Sequence, residues 1–463
     1  MADGPTNGFL DRTLNQLRNA WNDIAGHGDA VRPDLPEDDV ARIRAMMVEC
    51  LAGKGGEVSA RARATDLGGA YLTLNPTGRG RFLTLLATAF DVDREAVDGA
   101  MADVVEADEE GRQKAEARLR AVLVTPRREL LTQFNALPDG TKFLVDMRAD
   151  LRLMVRDDPA LPGLDGDLKN LLASWFDIGF LNLEHITWEA PAALLEKLIA
   201  YEAVHEIRSW DDLKNRLVSD RRCFAFFHPR MPNEPLIFVE VALVSGMAGN
   251  IQNLLDERAP ECAPEEADTA IFYSISNAQS GLAGISFGNF LIKRVVNDLA
   301  AELPGLKTFA TLSPIPGFRL WLDGLIDVEA DELVTAAEAK AMMVLTGTDS
   351  GTAALRAMLL ADWETDEVTS DRLQKPLTRL CARYLLVEKR SGRPLDAVAR
   401  FHLSNGARIE CINWLADTSR RGIQQSAGMM INYLYKLDEI EANHEAYSGE
   451  GQVMAASAVR ALL

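Results

Sequence analysis

The chain has 463 residues, 47% hydrophobic and 25% charged, with 49 Lys and Arg against 69 Asp and Glu for a formal charge of −20. This is globular composition; it excludes a collagen-like, disordered or disulfide-stapled chain, and the length predicts two or three domains with ample core. The acidic balance excludes a protein that coats nucleic acid, because duplex affinity comes largely from Lys and Arg neutralising phosphates, but not a small anionic ligand, which responds to the local field and not to the total.

Met1-Ala2-Asp3-Gly4-Pro5-Thr6 has no basic start and no apolar run, so no signal peptide is expected. No stretch of about 18 apolar residues offers a membrane span. Cys50, Cys223, Cys262, Cys381 and Cys411 are odd in number and far apart, which fits reduced thiols and neither a disulfide frame nor a zinc site. Arg460-Ala461-Leu462-Leu463 is not a peroxisomal address. A soluble, cytoplasmic protein is expected.

Residues 1 to 175 read as helices. Apolar residues recur at helical spacing at Leu119, Val122 and Leu123, at Leu130, Leu131 and Phe134, and at Phe143, Leu144, Met147 and Leu151. Pro33 and Pro36 precede one helix, Asn75-Pro76 opens another, and Thr125-Pro126 supplies a cap followed by Pro at the first helical position. Leu137-Pro138-Asp139-Gly140 is a turn. An all-helical bundle is the expected outcome.

From about residue 180 the pattern turns to mixed α/β. Phe224 to Phe227 and Pro235 to Val244 are strand-like, and His228 to Glu234 between them reads as the turn of a hairpin. Ala270 to Ser276 is a further strand, followed by Gly281, Gly284 and Gly288. Phe290 to Leu303 is an amphipathic helix with Leu291, Val295, Val296 and Leu299 on one face, and Thr308 to Leu312 is the next strand. Residues 330 to 390 return to helix. Ile409 to Trp414 and part of Met429 to Leu437 are the last strands.

Three places hold candidate chemistry. In the strand–glycine loop–helix of 270 to 303, glycines admit close backbone approach and the helix start presents unpaired N–H groups, which suits a pyrophosphate; Lys293 and Arg294 add charge. The same residues also fit a glycine-rich turn without ligand, and they form neither a P-loop nor a dinucleotide fingerprint. Ser313 precedes Pro314 and Pro316, which cannot donate to a ladder, so the strand must end there. Its hydroxyl is then either a reactive group at a strand mouth or a cap for the next helix or turn. His402 falls near the end of a helix that starts at Pro394 and stops at Gly406; an Asn-Gly hairpin is the other reading. It is either a reactive group or a packed histidine. None of the six histidines pairs at metal-ligand spacing, so no metal is expected. Alternation puts Tyr433 and Tyr435 on one strand face.

Together, FYSISNAQSGLAGISFGNFLIKRVV (272–296), LSPIPGF (312–318), FHLSNGA (401–407), INWLAD (412–417), RGI (421–423) and NYLY (432–435) resemble the malonyl-CoA decarboxylase family. The likeness spans most of residues 220 to 440 in the family's order. It implies a helical domain for self-association, residues 1–175, followed by a GNAT-like (acetyltransferase-type) mixed α/β catalytic domain, residues 176–463. It implies Ser313 and His402 as the catalytic pair, Tyr435 as an active-site tyrosine, and Ala283, Gly284, Ile285, Ser286, Phe287, Gly288 and Asn289 as the loop that binds malonyl-CoA. Ser286 stands where the family pattern can carry Glu. The expected reaction yields acetyl-CoA and CO2 through an enolate. The thioester is itself the electron sink, so no cofactor is expected. His402 is then the proton donor, and Ser313 orients the carboxylate or thioester. An acyltransferase of the same fold, or a silent acyl-CoA-binding protein, is the alternative. The implied partners are malonyl-CoA, acetyl-CoA and further copies of the chain, with no nucleic acid and no membrane. The acidic total must then lie on outer faces such as 106–110 and 265–268. The coenzyme site must be a positive exception, with Lys293 or Arg294 as its cations.

Overall fold

The computed structural model describes Trp21 and residues 31–53, 55–260, 262–285, 290–329 and 333–463. The chain divides into two compact units: residues 1–182 with 226–236 and 277–287, and residues 183–225, 237–276 and 288–463.

Helices build the first unit: α1 (Glu37–Leu51), α2 (Glu57–Thr73), α3 (Pro76–Ala89), α4 (Arg94–Glu106), α5 (Arg112–Val122), α6 (Pro126–Asn135), α7 (Gly140–Met154) and α8 (Pro162–Trp175). Asn75 caps α3 by accepting from Gly78 N, with Pro76 in the first turn, as the sequence predicts. Thr125 sits at the cap position of α6 without capping it. Its hydroxyl instead donates to Asp167 Oδ2 at 2.9 Å, exchanging a local bond for one that ties α6 to α8. The periodic residues of α7, Phe143, Leu144, Met147 and Leu151, are all buried. Phe143 packs against Trp21, Phe134 and Tyr71 at ring separations of 4.8, 5.2 and 5.6 Å, within the range where aromatic pairs attract beyond their buried area.

An eight-stranded sheet follows, most of its residues belonging to the second unit and residues 226–236 of the β2–β3 hairpin to the first. Its strands are β1 (Asn182–Ile186), β2 (Arg221–His228), β3 (Met231–Val244), β4 (Thr269–Asn277), β5 (Thr308–Thr311), β6 (Ser313–Pro314), β7 (Arg408–Asn413) and β8 (Met430–Leu434). They run in the order β1-β2-β3-β4-β5-β8-β6, with β7 also paired to β8. The β2–β3 hairpin has a shorter turn than the sequence suggests. The Arg230 N–H donates to His228 Nδ1 at 3.1 Å, which closes the chain over Pro229 and Arg230 and lets strand resume at Met231.

After β4 the chain passes through the glycine loop and the helix α9 (Phe290–Glu302) to β5, which lies parallel to β4 with Ala270 opposite Phe309. Val295, Val296 and Leu299 are buried as the pattern predicts; the side chain of Leu291 lies outside the described residues. The helices α10 (Phe318–Asp327), α11 (Ala336–Thr346), α12 (Gly351–Leu360) and α13 (Glu367–Leu386) precede α14 (Ala397–Ser404) and β7. One face of the central strands is core: Ala310 and Leu312 pack with Ile271, Tyr273, Ala242 and Met430. No helix among the described residues is long and apolar enough to cross a membrane.

Candidate active site

The site lies on the sheet face opposite that core. β8 is antiparallel to β5 at one end, with Leu434 opposite Ala310, and to β6 at the other, with Ile431 opposite Ser313. Directly opposed residues point to the same face, and alternate residues share a face. Ala310, Leu312, Met430 and Leu434 therefore face the core, and Thr311, Ser313, Ile431, Tyr433 and Tyr435 face the other way. The register, not any local motif, brings Ser313 and the two tyrosines together.

α14 covers this second face. Asp396 caps it by accepting from Ala399 N at 2.8 Å, and His402 sits in its last turn. The helix stops at Gly406, whose φ of +82° suits glycine and whose missing side chain leaves room for the Ile440 carbonyl. The helix stops before Gly406 as expected but starts at Ala397 and not at Pro394, which pairs with Lys389 in a short ladder, and the hairpin reading does not hold.

His402 Nε2 lies 3.1 Å from Ser313 Oγ, and its Nδ1 lies 2.8 Å from the Tyr435 hydroxyl. Ser313 Oγ donates onward to Thr311 Oγ1 at 2.9 Å, an oxygen that also accepts from Tyr433 N at 3.2 Å. This direction orders the protons. With its own proton given to Thr311, Ser313 accepts from Nε2–H, which leaves Nδ1 bare to accept from the tyrosine. Tyr433 stacks on the imidazole, ring centroids 4.5 Å apart. Burial is nearly complete: Ser313 is 6% exposed, His402 2% and Tyr435 2%. Burial pushes the imidazole down to about 3 and the Tyr435 phenol well above its ordinary value, because a low-dielectric surround disfavours the charged form of each. His402 is thus a neutral imidazole at pH 7, although the end of a helix would by itself favour its cation. The result is a four-membered hydrogen-bond chain without net charge, buried throughout, with Ser313 its least buried member.

Thr311 and Tyr433 belong to the site by geometry, and residue type alone does not single them out. Alternation from Ser313 would find the first, and alternation along NYLY places Tyr433 on the face of Tyr435; that its ring stacks on His402 needs the fold. The Tyr433 hydroxyl is buried and finds no partner among the described residues.

The loop residues fall elsewhere. Ala283, Gly284 and Ile285 belong to the first compact unit, whereas Ser313, His402 and Tyr435 belong to the second. Ser286, Phe287, Gly288 and Asn289 lie outside the described residues. Lys293 forms an ion pair with Glu441, so its charge is matched in place. The cations that meet the described part of the loop come from α7: Arg148 Nη1 donates to Gly281 O at 2.6 Å and Ala283 O at 3.1 Å, and Arg152 Nη1 donates to Ala283 O at 3.0 Å.

The sequence profiles of two domains match the chain: the malonyl-CoA decarboxylase N-terminal domain over residues 90–176 and the C-terminal domain over residues 179–463. The malonyl-CoA decarboxylase, mitochondrial, of Anser anser anser is 42% identical over 399 residues, 82% of this chain and 79% of that protein. The crystal structure of malonyl-CoA decarboxylase from Rhodopseudomonas palustris is 43% identical, with a TM-score of 0.83 over 91% of this chain and 99% of that one. The structure from Agrobacterium vitis is 41% identical, with a TM-score of 0.82 and the same coverage. Two domain profiles in tandem, relatives above 40% identity and a shared fold over nine-tenths of its length establish that this chain belongs to the malonyl-CoA decarboxylase family.

Proposed function

We propose that the chain converts malonyl-CoA to acetyl-CoA and CO2, with Ser313, His402 and Tyr435 as the groups that manage the reacting atoms. The observation that carries this is the uncharged, buried chain Tyr435–His402–Ser313 in a member of that family. Decarboxylation moves negative charge from the carboxylate to the thioester oxygen, breaks the bond to the carboxyl carbon and leaves an enolate. A carboxylate placed beside neutral, buried groups lacks a counter-charge, so its loss as neutral CO2 is favoured. The Ser313 hydroxyl, turned from Thr311 toward the substrate, orients the thioester or carboxylate and then gives its proton to the α-carbon. His402 replaces that proton from Nε2 and takes another at Nδ1 from Tyr435, which water reprotonates. The imidazole passes from one neutral tautomer to the other, so no imidazolium forms in a site that disfavours it; after product release the reverse relay restores the starting tautomer, Ser313 passing a water proton to Nε2 while Tyr435 passes the Nδ1 proton back to water. One proton is taken from water per turnover. A loop or strand-edge N–H that holds the oxyanion would add about 3 kcal/mol of transition-state stabilisation.

Ala283 to Asn289 complete the reading as the loop for the coenzyme. Self-association belongs to it too: Val58 on α2 and Met101 and Val105 on α4 are large apolar side chains left exposed, and light scattering across a dilution series tests it. So does a cytoplasmic setting, supported by the five free cysteines, which suit a reducing compartment. The decisive experiment incubates the purified protein with malonyl-CoA alone and follows the products by chromatography. Acetyl-CoA formed without any acceptor supports the proposal, and intact malonyl-CoA rejects it.

A further inference from the structure

The glycine loop is held from one side by two arginines. Arg148 is buried, and its Nε is engaged by Asp165 Oδ1 at 2.8 Å, so its remaining donors are fixed in direction when they meet the carbonyls of Gly281 and Ala283. Arg152 lies one turn further along α7, on the same helix face, and donates to Ala283 O as well. Gly281 permits this close approach, since a side chain there would run into the Val145 carbonyl.

The clamp has a consequence on the other side of the loop. In a trans peptide the C=O and the N–H point in opposite directions. Two guanidinium groups on Ala283 O therefore aim the Gly284 N–H away from α7, and their charge polarises that peptide toward a stronger donor. Gly284 N has no acceptor among the backbone bonds of this turn, where Leu282, Ala283 and Ile285 each have one. Gly284 adopts φ +76° and is exposed. The Lys169 ammonium on α8 lies 3.7 Å from where a side chain on Gly284 would begin. Lys169 is exposed and pairs with no carboxylate among the described residues. An N–H without an acceptor among the described residues, a cation beside it and a surface free of side chain combine the features of an anion site. Asp165 matches the charge of Arg148, which leaves Arg152 and Lys169 as the cations here without a carboxylate partner among the described residues.

We propose that Lys169 and the Gly284 N–H hold a phosphate group of the coenzyme, on a turn positioned by Arg148 and Arg152. The proposal rests on the reading of the chain as acting on malonyl-CoA. Lys169 is a binding residue. Arg148 and Arg152 are positioning residues, acting through the loop backbone. The phosphate comes either from the pyrophosphate bridge or from the 3′-phosphate, and the substrate series separates the two.

The test compares Lys169→Met, Arg152→Ala and Arg148→Lys with the unmodified protein on malonyl-CoA, malonyl-3′-dephospho-CoA and malonyl-pantetheine, which carries neither phosphate source. For malonyl-CoA, Lys169→Met should raise KM about tenfold while kcat changes by less than about twofold, since one charge-assisted contact is worth roughly that much. For malonyl-pantetheine KM should not change. A KM effect that persists with the dephospho substrate assigns the pyrophosphate, and one that vanishes assigns the 3′-phosphate; both support the site. Arg152→Ala should show the same substrate-dependent KM rise at unchanged melting temperature, a pattern that mere structural damage would not produce; Arg148→Lys, which also loosens a buried ion pair with Asp165, should lower the melting temperature yet still raise KM for malonyl-CoA and not for malonyl-pantetheine. An unchanged KM for malonyl-CoA in Lys169→Met, or an equal rise on malonyl-pantetheine, overturns the proposal. Calorimetric titration of CoA itself separates this failure from that of the functional reading. A protein without decarboxylase activity sinks the latter, and equal CoA affinity in the unmodified and Lys169→Met proteins sinks the former.

Discussion

At the scale of single residues, the two tyrosines beside His402 make opposite predictions although both are buried on the same strand face. Tyr435 bonds Nδ1 and so fixes which imidazole nitrogen carries the proton facing Ser313. Tyr433 contributes its ring, and its hydroxyl is unpartnered among the described residues. Tyr435→Phe should therefore lower kcat by about tenfold or more, whereas Tyr433→Phe should leave it within about twofold, because an unsatisfied buried hydroxyl can be removed at little cost. Steady-state kinetics on the two purified variants checks this, and equal losses would remove the tautomer argument. His402→Ala should cut kcat by about a hundredfold, and near-normal turnover would exclude His402 from the chemistry. The pH profile is set by the same burial. A histidine at its ordinary value near 6.5 would give an acid limb there, but burial holds His402 down to about 3. The acid limb of kcat should accordingly lie well below 6.5, read from rates between pH 4 and 8 on protein shown to remain folded.

At the scale of elements, β8 and α14 carry the site between them. β8 spans the break between β5 and β6, so one strand aligns Thr311, Ser313, Tyr433 and Tyr435. α14 sets His402 over that face, and Gly406 fixes where the helix ends. Gly406→Ala places a side chain against the Ile440 carbonyl at φ +82°. The left-handed conformation alone costs about 1 kcal/mol and the overlap adds to it. We expect a loss above about 2 kcal/mol in denaturant unfolding, together with a lower kcat as the end of α14 shifts. Unchanged stability and turnover would show that the helix end does not hold His402 in place. Strands, loop and helix are legible in the sequence because alternation, proline and glycine leave local marks: β5 ends at Thr311, β8 lies within Met429 to Leu437, and α14 stops before Gly406. The hairpin turn at 229–230 is shorter than its composition suggests, because its closure depends on a His228 side-chain bond that no propensity encodes.

At the scale of the whole molecule, the buried neutral histidine links stability to pH. The unfolded chain titrates His402 near 6.5 and the folded chain near 3, so between these values the unfolded state binds more protons. The contribution is therefore complete above about pH 6.5 and is lost as pH falls toward 3, on the order of a few kcal/mol in total. Denaturant unfolding at pH 7 and pH 4.5 should show a larger loss for the unmodified protein than for His402→Gln, and parallel losses would refute the linkage. The charge of −20 is also distributed as a whole-molecule property: Glu106, Asp108, Glu109 and Glu110 are exposed, as are Glu265, Glu266 and Asp268.

The sequence by itself determined the succession of a helical segment and a mixed α/β segment. It also determined the identity of Ser313, His402 and Tyr435 as candidates, through motifs that resemble one family. It did so because helix period, strand alternation and turn residues are local, and because a motif keeps its residue types in order. Only the tertiary structure decided that Ile431 opposes Ser313, that Thr311 and Tyr433 join the site, and that His402 is neutral. Register and burial arise from contacts between segments far apart in the chain. It also paired Lys293 with Glu441 and brought Arg148, Arg152 and Lys169 to the described part of the glycine loop. Those residues lie more than a hundred positions earlier, and no spacing rule connects them to Gly284 until α7 and α8 pack against it.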